Sequence, residues 1–225
     1  MNVCLFDIDG TLLSSGGAGK AALEAAFTED FGVALRHQIP YSGRTDRAIM
    51  RDLFRMHGID HSDANTARLM NAYLAKLPQS LTDHKGHILP GIEALLDWLH
   101  NSGTFSVGLL TGNVRAGAKV KLGHFGLYER FAFGGFGDRH FDRDDVAREA
   151  HQQVRELIGA HIVSDKIWVI GDTPLDVKCA RAIGARVVAV ATGHHSVEQL
   201  TASAPDLVLA DLSDPRPLID LWAIG

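Results

Sequence analysis

The sequence predicts an α/β protein: a doubly wound parallel sheet, Rossmann-like in plan, with a helical bundle inserted after the first strand. Three observations carry this prediction. Short apolar runs recur at residues 3–6, 105–110, 166–170, 187–191 and 207–209, and helical patterns separate them. Strands alternating with helices require crossover connections, which make a parallel sheet. Residues 18–83, by contrast, show helical periodicity and no strand-like alternation. With 225 residues the chain is long enough for one large domain or two small ones.

The first strand, 3–6, leads into Asp7-Ile8-Asp9-Gly10-Thr11. An apolar run closed by a glycine turn reads as a fully buried strand. Ionised aspartate is almost never buried without a partner, so two at the mouth of a core strand need a reason. They repel unless a cation lies between them or one holds a proton. A hard divalent ion such as Mg²⁺ suits carboxylate oxygen. In open parallel sheets that strand mouth is also where ligands bind.

Ser14-Ser15-Gly16-Gly17-Ala18-Gly19-Lys20-Ala21 is glycine-rich but lacks phosphate-loop spacing, and reads as a flexible connection into a helix over 18–31. Ile49, Leu53 and Met56 share one helical face; Leu69, Met70, Tyr73, Leu74 and Leu77 share another, with Ser62 as an N-cap. Leu89-Pro90-Gly91 opens a helix bearing Ile92, Leu95, Leu96 and Leu99, which Gly103 ends. The strand 105–110 stops at Thr111-Gly112-Asn113, and a helix over 115–125 follows. A short strand at 131–133 and a glycine-rich loop at 134–137 are expected next. Asp142-Arg143-Asp144-Asp145 then introduces a helix with Val146, Ala150, Val154, Leu157 and Ile158 as its apolar side. The strand 166–170 ends in Gly171-Asp172-Thr173-Pro174-Leu175-Asp176, where Thr173 can cap a helix, Pro174 suits its first position and Asp176 its third. The tyrosines, tryptophans and phenylalanines read as core. His194-His195 lacks further ligands at metal spacing and reads as an exposed loop.

Composition narrows the function. Hydrophobic residues make up 46% and charged residues 22%, as in ordinary globular proteins. A net charge of −5 argues against a nucleic-acid partner held through phosphates. No basic segment precedes an apolar stretch and no run nears about 18 apolar residues, so neither a signal peptide nor a membrane partner is expected. Cys4 and Cys179 fall inside expected core elements and read as free thiols of a cytoplasmic protein, a monomer or a homodimer.

Three strand ends thus carry, in order, Asp7-Ile8-Asp9-Gly10-Thr11, Thr111, and Gly171-Asp172 with Asp176. In that order and context they resemble the motifs of the haloacid dehalogenase-like phosphohydrolases. The resemblance covers residues 1–14 and 85–225 as the core; the insertion 15–84 resembles the helical cap of the subgroup that includes phosphoglycolate phosphatase and β-phosphoglucomutase. It implies a Mg²⁺-dependent phosphatase acting on a small phosphorylated metabolite. Mg²⁺ would be bound by Asp7, the Asp9 backbone carbonyl and Asp172. Asp7 would be the nucleophile. Asp9 would protonate the leaving alcohol and then activate water, which asks for a raised pKa from its carboxylate neighbour and partial burial. Thr111 and the backbone N–H groups of Gly112 and Asn113 would hold the phosphoryl oxygens, Asp176 would support the loop from behind, and the cap would close over the site.

The sequence departs from the resemblance at one point. The usual Lys-Pro ahead of the Gly-Asp strand is absent, and Arg143 stands near its place; Lys119 and Lys121, on the helix after Thr111, are weaker alternatives. Asp9 favours phosphoryl transfer over dehalogenation. Arg44, in Ser42-Gly43-Arg44-Thr45-Asp46, is the expected contact for a polar or anionic leaving group, with pairing to Asp46 or solvent as its plain alternative. A phosphomutase, a phosphonatase using Lys76 or Lys85, and a non-catalytic binding protein are the other readings.

Overall fold

The strands are apolar on both faces because helices cover both. In a computed structural model, which describes residues 1–35, 39–159 and 161–224, the elements run β1 (Asn2–Phe6), β2 (Leu13–Ser14), α1 (Ala18–Phe31), α2 (Asp46–Met56), α3 (Asp63–Asp83), β3 (His87–Ile88), α4 (Ile92–Ser102), β4 (Phe105–Leu110), α5 (Arg115–His124), β5 (Gly134–Gly135), α6 (Arg143–Ile158), β6 (Ile167–Gly171), α7 (Pro174–Ala182), β7 (Arg186–Val190), α8 (Val197–Thr201), β8 (Leu207–Leu209) and α9 (Arg216–Ile224). The main sheet is six-stranded and parallel, in the order β5-β4-β1-β6-β7-β8. The chain therefore winds outward from β1 in one direction, then returns and winds outward in the other. The reversal beside β1 is the topological switch point, where such sheets bind ligands.

Side-chain alternation along β1 sends Cys4 and Phe6 to one face and Val3 and Leu5 to the other. The first face packs against α4, α5 and α9 through Leu95, Leu96, Leu122 and Trp222. The second packs against α6 and α7 through Val146, Ala150, Val154 and Val177. Both cysteines are buried and free. Among the described residues no helix is long and apolar enough to cross a membrane.

The stretch expected to be helical over 18–83 is three helices joined by loops; residues 36–38 of it lie outside the described residues. The helices share an apolar cluster of their own, with Phe27, Met50, Leu53, Phe54, Leu69, Tyr73 and Leu77 at its centre. Where the chain leaves and re-enters the sheet layer, β2 and β3 pair antiparallel, Leu13 with Ile88 and Ser14 with His87. This two-residue ladder has no signal in the sequence, because neither segment has strand length or alternation.

Three expectations are corrected. Leu157, on the expected apolar side of α6, is 61% exposed. The strand expected at 131–133 lies instead at Gly134–Gly135, inside the segment expected to be a glycine loop. A Cβ on Gly134 would stand 2.7 Å from the Leu109 carbonyl oxygen, and one on Gly135 would stand 2.4 Å from that of Val146. The glycines are there so that the chain can slip between β4 and α6. Phe141, expected in the core, is 36% exposed, with the guanidinium groups of Arg47 and Arg51 each 5.0 Å from its ring centre.

Candidate active site

Register brings the three polar strand ends to one level. Phe6 lies opposite Leu109 on one side and Ile170 on the other, so Asp7 emerges beside Thr111 and Asp172. Asp7, Thr111, Asp172 and Asp176 are buried. Asp7 and Asp172, with Asp9, Asn113, Lys121 and Arg143, line a cleft of about 600 Å³, roofed by Lys20, Tyr41, Ile49 and Tyr73 of the helical segment and its connecting loops.

Arg143, the first residue of α6, reaches across under β4. Its guanidinium lies 3.1 Å from Asp7 Oδ2 and 2.5 Å from Asp176 Oδ1, and donates to the carbonyls of Gly43 and Leu110. Asp176 is held twice over. It closes a capping box with Thr173 at the start of α7, receiving Thr173 N–H and O–H on Oδ2 at 2.9 and 2.7 Å, while Oδ1 receives Arg143. With both oxygens engaged, it anchors Arg143 and the loop that carries Asp172.

Asp7, Asp172 and Asp176 can bring one oxygen each within 4.8 Å of one another. Burial raises Asp7 to about 6; the Arg143 charge opposes this, and Asp176 and Asp9 add to it. Burial, then the charges of Asp176 and Asp7, raises Asp172 to about 8. Thr11 Oγ1 donates to Asp172 Oδ1 at 3.3 Å. Cβ atoms on Gly10 and Gly193 would stand 2.4 and 1.7 Å from Asp172 Oδ2, so both glycines leave room for that carboxylate. Two buried, mutually destabilised carboxylates with all-oxygen chemistry fit a hard divalent cation.

Asp9 contradicts the expected raised pKa. Burial pushes it upward, but the Lys121 charge and the hydrogen bonds from Lys121, Asn113 and Ser15 together outweigh burial and leave it below the ordinary carboxylate value. Lys121 Nζ is buried and donates to Asp9 Oδ2 at 2.6 Å and Asn113 Oδ1 at 2.7 Å. Asn113 Nδ2 donates to the same Asp9 oxygen at 2.9 Å and to Thr111 Oγ1 at 2.9 Å. Lys121, ranked below Arg143 from sequence, is thus the partner of the other acid. Its signal was its place on the apolar face of α5, one turn from Gly117 and Ala118. Lys119 lies instead against the Tyr128 ring on the exposed side.

Thr111 does not cap α5; the residue before that helix is Val114, with no side-chain cap of its own. Arg44 lines the cleft, but its guanidinium is engaged by Asp52 at 2.5 Å and by the carbonyls of Pro40 and Ala48. The expected alternative partner, Asp46, is not its partner. Lys76 pairs with Glu29 at 2.5 Å, and neither it nor Lys85 lines the cleft. His194 is exposed at the cleft edge and His195 half-buried.

The fold and the site define a doubly wound α/β protein with an acidic, cation-braced centre at its switch point. The chain belongs to the haloacid dehalogenase-like hydrolases, whose family profile matches residues 4–190. It is 28% identical over 219 residues to a phosphoglycolate phosphatase of Synechococcus elongatus, covering 95% of each chain. It is 26% identical over 216 residues to a phosphoglycolate phosphatase of Pseudomonas putida, covering 92% of this chain and 76% of that one. The crystal structure of CbbY from Rhodobacter sphaeroides in complex with phosphate superposes with a TM-score of 0.76 at 17% identity, over 96% of both chains. A hydrolase from Pseudomonas syringae gives 0.72 at 22% identity, over 98% of this chain and 99% of that one. The last two comparisons speak for the fold.

Proposed function

We propose that the protein is a Mg²⁺-dependent phosphatase of a small phosphorylated metabolite, with 2-phosphoglycolate the first substrate to test because of the relatives' activity. The observation that carries this reading is the opposite bracing of two acids two residues apart: Asp7 against Arg143, Asp9 against Lys121. Asp7, the Asp9 carbonyl and Asp172 would bind the metal, which when bound supplies positive charge that screens the phosphoryl group from the carboxylates. We read residues 15–84 as the cap that closes the cleft and excludes water.

Asp7 attacks phosphorus; the bond from its carboxylate oxygen forms as the bond to the leaving oxygen breaks, and Asp9 gives that oxygen a proton. Asp9 then takes a proton from water as the water oxygen attacks phosphorus and the aspartyl–phosphorus bond breaks. Lys121 favours the ionised form of Asp9 and so suits the second step directly. In the first step the incoming phosphate adds negative charge beside Asp9 and raises its proton affinity. Arg143, whose charge is permanent, offsets Asp7 against the substrate. Thr111, Gly112 and Asn113 would hold the phosphoryl oxygens. Arg44, committed to Asp52, would shape the leaving-group pocket. Lys76 and Lys85 lie away from the cleft, which disfavours Schiff-base chemistry on either.

The test is hydrolysis of p-nitrophenyl phosphate and of a panel of phosphorylated metabolites, with Mg²⁺ and with excess chelator. Release of phosphate that requires Mg²⁺ is expected. Absence of release from every monoester would sink the reading.

A further inference from the structure

Asp46, the first residue of α2, belongs to the helical segment, yet its bonds go to the sheet layer. Its carboxylate Oδ2 accepts the N–H of Val114 at 2.8 Å, and its own N–H donates to the Gly112 carbonyl at 2.8 Å. A Cβ on Gly112 would stand 2.1 Å from the Arg44 carbonyl oxygen, so the two backbones touch. Val114 precedes α5 and its own side chain makes no cap; Asp46 accepts the Val114 N–H, and Asp138 Oδ2 accepts the N–H of Arg115 at 2.9 Å. The same carboxylate lies in the field of Lys121. Asp46 is thus bonded both to the loop that carries Asn113 and to the start of the helix that carries Lys121, and these two side chains make the amide and ammonium bonds to Asp9 Oδ2.

We propose that Lys121 is the positioning residue for Asp9, and that Asp46 engages it by docking the start of α2 on residues 112–114. This rests on the reading of Asp9 as the proton-transfer group. Lys121 and Asn113 hold Oδ2, and Ser15 also hydrogen-bonds the carboxylate; on this reading Oδ1 is the oxygen that exchanges a proton with the leaving group or with water. The Asp9 side chain is 39% exposed, so without Lys121 it can turn toward solvent. Docking of the helical segment and orientation of the Asp9 carboxylate are then one event, through a contact the substrate does not make.

Leaving-group dependence tests this, because a role confined to stability lowers activity alike for all leaving groups. p-Nitrophenolate departs with little need of a proton, whereas phenol, with a pKa of about 10 like the tyrosine side chain, needs one. kcat/KM reports the steps through loss of the leaving group. Lys121→Met is expected to lower kcat/KM for phenyl phosphate at least tenfold more than for p-nitrophenyl phosphate. Asp46→Asn is expected to act in the same sense to a smaller degree, and it carries the test should Lys121→Met not fold. Lys121→Arg is expected to recover part of the loss. Equal losses on the two substrates would overturn the proposal. Asp9→Asn separates the levels: if it lacks the selective pattern, the role of Asp9 is wrong; if it shows the pattern and the Lys121 and Asp46 variants do not, this inference alone falls.

Discussion

Asp7 and Asp9 stand two residues apart on one strand end and meet opposite surroundings. Asp7 is raised to about 6 by burial, with Arg143 working against it; Asp9 is held low because Lys121, with hydrogen bonds from Asn113 and Ser15, overcomes burial. We expect Asp7→Asn to abolish turnover with the thermal transition preserved, since an amide is not a competent nucleophile. Near-normal phosphate release by the folded variant would exclude the covalent route. Arg143 answers to Asp7, Asp176 and two carbonyls at once, so Arg143→Ala is expected to lower kcat by roughly a hundredfold. It would also lower stability by about 3–5 kcal/mol, because Asp176 would be left buried and unpaired. Arg143→Lys keeps the charge without the fork and should recover activity only in part. Chemical denaturation beside steady-state kinetics checks both; full activity in Arg143→Ala would remove the cation from the mechanism.

At the scale of elements, the acids Asp7 and Asp172 and the hydroxyl of Thr111 sit where strands stop, while Arg143 and Lys121 come from helices. Asp7 follows β1, Thr111 follows β4 and Asp172 follows β6, and the helix after β6 opens with the Thr173–Asp176 box that steadies Asp172. Loss of a side-chain cap costs about 1 kcal/mol, so Thr173→Ala should lower the melting temperature by several degrees. A transition at the wild-type temperature would show that the Thr173 hydroxyl contributes nothing to holding Asp176, which the Thr173 N–H and Arg143 would then hold. The loop after β7 contributes differently. A methyl group on Gly193 would collide with Asp172 Oδ2 and turn that carboxylate away. Gly193→Ala is therefore expected to raise the Mg²⁺ concentration for half-maximal activity, in the same direction as Asp172→Ala. An unchanged Mg²⁺ titration would mean that Asp172 has room to move without cost.

Across the whole molecule, the sheet order places an acidic cluster at a buried switch point, and stability must depend on its protons. Asp172 is raised from an ordinary value of 3.8 to about 8, so the folded protein binds its proton more tightly than the unfolded chain does. Its contribution is therefore complete below pH 4 and is lost as pH rises through 8; Asp7 behaves alike, with its loss centred near pH 6. A cation at Asp7 and Asp172 competes with those protons. Mg²⁺ should raise the melting temperature little at pH 5 and increasingly toward pH 8.5. Thermal melts across that range, with Mg²⁺ and with chelator, measure it; a Mg²⁺ effect independent of pH would place the ion elsewhere.

The sequence by itself determined the strands, the helical insertion and the acids at the strand ends. These are local properties: apolar runs, helical periodicity, and polar groups where a buried strand must stop. It also placed Thr173, Pro174 and Asp176 at a helix start, because capping is settled within four residues. Pairing was beyond it. That Lys121 answers Asp9 and Arg143 answers Asp7, that Arg44 turns to Asp52, and that Asp46 caps a helix of another segment all follow from how layers stack. The sign of the Asp9 shift was misjudged for the same reason. A pKa is set by burial and by the charges near in space, and Lys121 is 112 residues away along the chain. The two-residue strands, β2, β3 and β5, were equally hidden, since such short segments take their conformation from the neighbours they pack against.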